Sequence, residues 1–148
     1  MQWKVVSIRH IGYMKKTLLI LLLISVFSGC KKHQEENDFK KSVIGKWELS
    51  HVYGYGIFPP PYLPGNGNTI TLSTDGIYEK WKQDTLVFRG IYSIKRKKDC
   101  DEKQRYFFYT NNPNGDNDTR ISIESGKLTI GTSVCVADGG VSSYRRIP

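Results

Sequence analysis

The chain lacks any apolar run long enough to cross a bilayer. Its longest such run, Thr17–Phe27, has 11 residues, whereas a membrane-spanning helix needs about 20. Methionine is scarce, with two residues, while tyrosine occurs nine times beside many threonines, isoleucines and valines. That composition suits half-buried strands better than helices. The chain is therefore expected to carry a β-rich domain and no membrane-spanning helix.

Catalytic groups are lacking as well. Of three histidines, only His51 falls inside the predicted domain, and no serine, histidine and acid set can be assembled around it. No glycine-rich loop lies between a predicted strand and a predicted helix, so the sequence has no recognisable nucleotide-binding motif. There is no CxxC pair, and the histidines have no partners at zinc-site spacing. We expect no enzyme activity, no metal and no cofactor.

The first 29 residues have the order of an export signal. Residues 14–16 (MKK) are basic, the apolar run follows, and residues 26–30 (VFSGC) close the segment. This ending resembles a lipobox, the site where bacterial lipoprotein peptidase cuts before a diacylated cysteine. The resemblance implies cleavage before Cys30 and acylation of that cysteine, so residues 1–29 are predicted to be a signal peptide. Residues 1–13 place Trp3 and other bulky residues before the basic stretch, which signals seldom do, so Met14 is the predicted true start. A short buried helix is the alternative interpretation of the apolar run.

Residues 31–38 (KKHQEEND) are polar and show no periodicity. We predict that residues 30–43 are the lipidated cysteine and a flexible tether, and that the folded domain covers residues 44–148. A basic residue followed by acids after the lipidated cysteine helps to send some bacterial lipoproteins to the cell surface, and this stretch is similar. We expect a lipid-anchored protein of the cell envelope, attached to the outer membrane on its periplasmic face or at the cell surface.

The basic charge is smaller than it first looks. The formal net charge is +8, but residues 1–29 carry four basic residues and no acid, which leaves +4 for the remainder. That value is ordinary for a soluble domain and gives no argument for nucleic acid. Residues 95–98 (KRKK) are the densest basic run, and acids follow at once. A self-neutralising hairpin over residues 95–102 is expected, with contact to anionic glycan or lipid headgroups as the alternative.

Three cysteines are an odd number, and lipidation of Cys30 accounts for the odd one. Cys100 and Cys135 remain, in an oxidising compartment. We predict a disulfide between them, worth at most about 4 kcal/mol in the loop-entropy model. Two free buried thiols are the alternative.

Alternation of apolar and polar residues, interrupted by turn signals, predicts about eight short strands. They cover residues 44–50, 69–73, 77–82, 86–94, 106–110, 120–123, 127–130 and 143–147. The prolines of residues 54–68 predict a long extended loop that serves as a lid or wall, or alternatively as a PxxP-type ligand. The meander closes as an up-and-down barrel or packs as a sandwich, and closure is attractive because it removes both sheet edges.

Five motifs, in this order, resemble the lipocalin-like domains of bacterial lipoproteins. They are GKW at 45–47, TDG at 74–76, GIY at 90–92, GKLTI at 126–130 and YRR at 144–146. In lipocalins the first-strand tryptophan packs across the barrel base, and an arginine of the last strand stacks on it. The resemblance implies an all-β, eight-stranded antiparallel lipocalin-like barrel, in which Arg145 or Arg146 caps Trp47.

The resemblance also implies a non-catalytic domain that binds a small apolar or amphipathic ligand in the barrel mouth, near residues 59–64. The candidate ligand contacts are aromatic: Phe58, Tyr62, Tyr78, Trp81, Phe88 and Tyr92. The alternative is an envelope protein-binding module, an inhibitor or assembly factor, with a filled barrel. A continuous apolar cavity of several hundred Å³ favours the first function, and a packed centre favours the second.

Two further motifs have a functional alternative to a plain turn. Residues 112–118 (NPNGDND) are rich in oxygen ligands, but they lack the terminal glutamate and the spacing of a calcium loop. Asp84-Thr85-Leu86 is similar to a short acceptor motif for periplasmic O-glycosylation in some bacteria. We interpret both as turns.

Overall fold

The computed structural model describes residues 33–54, 56, 59–112, 119–133, 135–136 and 139–148. Contacts divide the chain into two compact units, Met1–Asp38 and Phe39–Pro148. Within the described part of the chain, no helix is both long and apolar enough to span a bilayer. The predicted signal peptide and Cys30 lie outside the described residues, and so do Phe58 and most of the 112–118 loop.

The second unit contains eight strands joined as a meander. They are β1 (Gly45–Tyr53), β2 (Thr69–Leu72), β3 (Ile77–Lys82), β4 (Thr85–Lys98), β5 (Gln104–Thr110), β6 (Thr119–Glu124), β7 (Lys127–Gly131) and β8 (Val141–Ile147). Each strand pairs antiparallel with the next, and β1 pairs with β8, so the sheet closes on itself. The predicted all-β, eight-stranded up-and-down barrel is confirmed.

The β1–β8 seam sets which side chains face inward. Trp47 lies opposite Arg146 and Leu49 lies opposite Tyr144 in the antiparallel register. Because successive side chains in a strand alternate between faces, these four lie on the inward face of the sheet, with Arg146 exposed at the end of the barrel. A register shift follows between Leu49 and His51. The inward-facing strand side chains, together with Val43 from the helix before β1, build one core of buried side chains: Val43, Trp47, Ile70, Leu72, Ile94, Phe108, Ile121, Leu128 and Tyr144.

A helix precedes the barrel. Residues 33–43 form α1, so the prediction of a flexible tether does not hold there, and the barrel unit begins at Phe39 rather than at residue 44. The Phe39 ring stacks on Tyr106 with centroids 3.7 Å apart, and Val43 is fully buried. Such a short helix is marginal alone and depends on tertiary packing. Two apolar side chains on one turn gave too little periodicity to predict it.

The basic run at residues 95–98 is the end of β4 and not part of a hairpin, which corrects the predicted hairpin over residues 95–102. The Lys97 ammonium lies 4.3 Å from the Phe107 ring centroid, and Lys95 lies 5.5 Å from that of Tyr109. Lysine stems cover aromatic surface while their heads stay in water. The charged residues therefore suggested a hairpin where the chain continues as a strand, and the lysines of that strand pack on aromatic rings of its outer face.

Candidate functional site

One end of the barrel is closed by Trp47. The guanidinium carbon of Arg146 lies 4.3 Å from the Trp47 ring centroid. Arg146 also donates hydrogen bonds to the Ile44 carbonyl at 3.1 Å and to the Ser42 carbonyl at 2.5 Å. The Trp47 indole N–H donates to the Val43 carbonyl at 2.8 Å. The predicted arginine cap on Trp47 is present, and these bonds join it to the end of α1.

Gly45 makes room for that cap. Its φ of +138° is one that side-chain-bearing residues rarely adopt. A Cβ on Gly45 would lie 3.0 Å from Nη1 of Arg146. The backbone conformation therefore favours the glycine of the GKW motif at this position, and a Cβ there would also press on the end of the Arg146 side chain.

Arg145, the other predicted cap, lies elsewhere and corrects that half of the prediction. Its Nε donates to Glu48 Oε2 at 2.9 Å, and its Nη2 donates to the Tyr62 carbonyl at 2.8 Å. Neighbouring residues of a strand face opposite sides of the sheet, so Arg146 on the inward face places Arg145 on the outward face. The Glu48 side chain is only 5% exposed although it lies on the outer face of β1.

The proline-containing loop covers Glu48. The backbone N–H groups of Gly65 and Asn66 donate to Glu48 Oε1 at 2.7 and 2.9 Å. The Tyr62 N–H donates to the Ser50 carbonyl at 2.8 Å. These bonds hold the described part of the loop along β1, so the loop is a fixed wall rather than a lid over the axis.

Three of the six candidate ligand residues pack inside the barrel. Tyr78 makes an edge-on contact with Phe108 at 5.3 Å between centroids, and its ring lies 5.8 Å from Phe88. Tyr92 lies 5.8 Å from Phe108 and donates its hydroxyl to the Ser73 carbonyl at 2.8 Å. Burial raises the pKa of Tyr78, with a further contribution from Tyr144. The aromatic interior is therefore uncharged and held by ring-on-ring contacts.

A pocket of about 250 Å³ opens at the other end of the barrel. We call it the mouth pocket. It is lined by Leu49, Tyr62, Asn68, Thr69, Ile70, Lys80, Trp81, Lys82 and Tyr144. Burial raises the pKa of Tyr144, so its phenol stays neutral in this wall. The lining thus combines apolar side chains with two lysines.

The mouth pocket contains two of the predicted ligand residues, Tyr62 and Trp81. Sequence reasoning missed Lys80 and Lys82. Strand alternation nevertheless places Lys80 and Lys82 on the same face of β3 as Tyr78. Sequence reasoning also missed the apolar part of the lining, since Leu49 and Ile70 were assigned only to strands. Those side chains converge through the pairing of β1, β2 and β3, which no local motif records.

The outer side of β5 carries a buried ionic cluster around Asp99. Its carboxylate accepts hydrogen bonds from Ser133 Oγ at 2.5 Å and from the Cys100 N–H at 2.9 Å. Arg105 and Arg120 lie 3.4 and 3.8 Å from Asp99 Oδ2. The Ser133 bond, the Cys100 bond and both arginines lower the pKa of Asp99 against the opposing effect of burial.

Cys100 and Cys135 lie at disulfide distance, with Cα atoms 6.3 Å apart, as the sequence predicted. With the Ser133–Asp99 bond, the pair holds the loop after β7 across the outer face of β5 and β6. Phe107 beneath it is 1% exposed. Oxygen and sulfur atoms of Asp99, Cys100 and Cys135 lie within 4.8 Å of one another, but sulfurs bonded to each other are not available as thiolate ligands.

A second cavity, of about 400 Å³, lies where β5 and β6 separate. Its lining is mostly polar and includes Gln104, Arg105, Arg120, Ser122 and Glu124. Both arginines are already engaged with Asp99, and Arg120 also donates to the Thr132 carbonyl at 3.1 Å. This cavity has neither the apolar lining nor the position predicted for the ligand.

Comparison of the chain with protein-family models, with curated proteins and with solved structures found no match.

Proposed function

We propose that the protein is a lipid-anchored, non-catalytic binding protein of the bacterial cell envelope, with a lipocalin-like barrel that takes a small amphipathic ligand at its mouth. The observation that carries the proposal is the difference between the two ends of the barrel. One end is closed by the Trp47–Arg146 stack, and the other opens into the mouth pocket.

The ligand is small. The mouth pocket, at about 250 Å³, is below the roughly 300–1,000 Å³ of pockets for drug-sized ligands. The Tyr78, Phe88, Tyr92 and Phe108 rings occupy the interior. Leu49 and Ile70 suit an apolar group, and Lys80 and Lys82 suit a polar or anionic end.

The packed interior favours a second candidate, an envelope protein-binding module whose filled barrel is only a scaffold. Ring contacts at 5.3 to 5.8 Å among Tyr78, Phe88, Tyr92 and Phe108 are the specific observation behind it. On this alternative, a partner protein contacts the exposed loops and nothing occupies the mouth pocket.

Native mass spectrometry of the full chain purified from membranes separates the two candidates. The ligand proposal predicts a small amphipathic molecule that co-purifies and is lost in a pocket-filling Leu49→Trp variant. Ile91→Trp, at a strand position that is 61% exposed and outside the pocket lining, is the matched control and should retain it. A wild-type protein that carries no small molecule, and cross-links in cells to a specific envelope protein, would reject the ligand proposal in favour of the scaffold.

The lipid anchor has its own test. Cys30→Ser should leave an uncut precursor, since the peptidase acts before an acylated cysteine, and metabolic labelling with a fatty acid should disappear. Several acyl chains, at about 0.8 kcal/mol per buried CH₂, make attachment effectively permanent. A Cys30→Ser protein that is still cleaved normally would rule the anchor out.

A further inference from the structure

The mouth carries an exposed apolar rim. Leu63 is 78% exposed, Val87 51% and Leu86 43%. The half-buried Trp81 is the strand partner of Leu86, and Tyr62, next to Leu63 in the chain, lines the same pocket as Trp81. We call these five side chains the mouth rim. Single exposed apolar residues are ordinary in soluble proteins, but a group at one place marks an interaction surface.

The loop and the hairpin that carry the mouth rim are fixed to each other. The Asp84 N–H, in the β3–β4 turn, donates to the Gly67 carbonyl at 3.0 Å. Gly67 has a φ of +70°, and a Cβ there would lie 2.9 Å from the Asp84 backbone nitrogen. Tyr62 from the loop and Trp81 from the hairpin also line the same pocket. The mouth rim is therefore one surface.

Cations flank this surface. Lys80 and Lys82 are exposed on β3, and no carboxylate of the described residues lies within salt-bridge distance of either ammonium group. The hairpin has two acids. Glu79 pairs with Arg89 at 3.4 Å, and the Asp84 carboxylate is turned toward Gly67. The charge left exposed at the mouth, beside the apolar rim, is positive.

We propose that the mouth rim docks on a bilayer that contains anionic headgroups. Lys80 and Lys82 contact the headgroups, while Trp81, Leu86 and Val87 enter the interfacial layer. Aromatic and apolar side chains beside lysines are the chemistry that such an interface accepts. This docking rests on the envelope location in the proposed function and extends it, because the mouth pocket then opens toward the lipid from which an amphipathic ligand would come.

Lysine footprinting of the full chain on vesicles tests the docking. The protein is mixed with phosphatidylcholine vesicles, or with phosphatidylcholine and phosphatidylglycerol vesicles, then floated and acetylated. On anionic vesicles, acetylation of Lys80 and Lys82 should fall several-fold relative to phosphatidylcholine, and high salt should reverse the fall. Lys46, exposed near Trp47, is the internal control and should not change.

Leu86→Glu and Val87→Glu should abolish the protection. Ile91→Glu is the matched control, because Ile91 is 61% exposed on the same strand but outside the mouth rim. If a glutamate variant fails to fold, as judged by its unfolding midpoint, the Lys80→Gln, Lys82→Gln double variant replaces it. The readout is then quenching of tryptophan fluorescence by brominated anionic lipid, which reaches half-buried Trp81 rather than buried Trp47 and should be lost in the double variant.

Flotation separates this proposal from the anchor. Flotation with both vesicles and protection only on anionic lipid supports both proposals. Flotation only with anionic vesicles, with protection, supports the docking and rejects the anchor. Flotation with both vesicles and equal acetylation of Lys80 and Lys82 on each overturns the docking alone. Flotation with neither overturns both.

Discussion

Arg146 stacks on Trp47, with 4.3 Å between the guanidinium carbon and the ring centroid. The two residues are direct partners across the β1–β8 seam, the seam that turns an open sheet into a barrel. The preceding residue, Arg145, binds Glu48 on the opposite face of the sheet. Two adjacent arginines thus secure closure from both sides, one through an aromatic ring and one through a carboxylate.

Trp47→Ala should destabilise the protein by about 3–5 kcal/mol, because it removes a fully buried ring from the core. Arg146→Met keeps much of the side-chain volume and removes the cation, so it should cost about 0.5–2 kcal/mol. Urea unfolding at neutral pH measures both values. A midpoint for Arg146→Met equal to that of the wild type would show that the stack contributes nothing to stability.

Glu48→Ala should destabilise by about 3 kcal/mol, the lower end of the range for breaking a buried pair, because Arg145 keeps partial contact with water. Protease sensitivity of the 54–68 loop should rise as well, since Gly65 and Asn66 lose their acceptor. Glu79→Ala is the control. It removes a partly exposed pair with Arg89 and should cost less than about 1 kcal/mol. Equal losses for the two variants would contradict the role given to Glu48.

Replacing Cys100 and Cys135 by serine should cost about 2–4 kcal/mol, since the unfolded chain regains the entropy of the open loop. Hydrogen exchange should accelerate first in the loop after β7, which also depends on the Ser133–Asp99 bond. The intact mass of the untreated protein should be lower than that of the reduced form by two hydrogen atoms. Full alkylation of both cysteines without prior reduction would disprove the bond.

Stability should fall in acid through the cluster at Asp99 and Asp101. Hydrogen bonds from Arg105 lower the pKa of Asp101 to about 2, and the pKa of Asp99 is lowered mainly by Ser133. An aspartate in the unfolded chain has a pKa of about 3.9. As the pH falls, the unfolded chain therefore takes up protons before the folded protein does. The stabilisation by the ionised carboxylates is complete above about pH 4 and is lost as the pH falls toward about 2. Urea midpoints across this range should fall less steeply in Asp101→Asn than in the wild type. Identical slopes would exclude the carboxylate as a source of the acid sensitivity.

Much of the barrel can be predicted from the sequence. Alternation gave all eight strands, although β4 continues through the lysines that had suggested a hairpin. The GKW motif marked Trp47, and the odd cysteine number led to the Cys100–Cys135 pair. These features are local, or follow from counting, so they do not require knowledge of long-range register.

Only part of the mouth pocket could be predicted from the sequence. Tyr62 and Trp81 were identified as aromatic residues near the predicted mouth, and both line it. Tyr78, Phe88 and Tyr92 were grouped with them on the same ground, yet they pack against Phe108. An aromatic side chain that fills a barrel and one that lines its opening have the same sequence signature.

By itself the sequence determined the strands, the turns between them and the polar–apolar alternation, because these depend on residues a few positions apart. The tertiary structure decided which arginine meets Trp47, that Phe39 and Val43 extend the core through α1, and that two lysines join Tyr62 at one opening. Closure between β1 and β8 determines which side chains of every strand point into the barrel. The contacts it creates join residues about a hundred positions apart, and no local pattern encodes such a register.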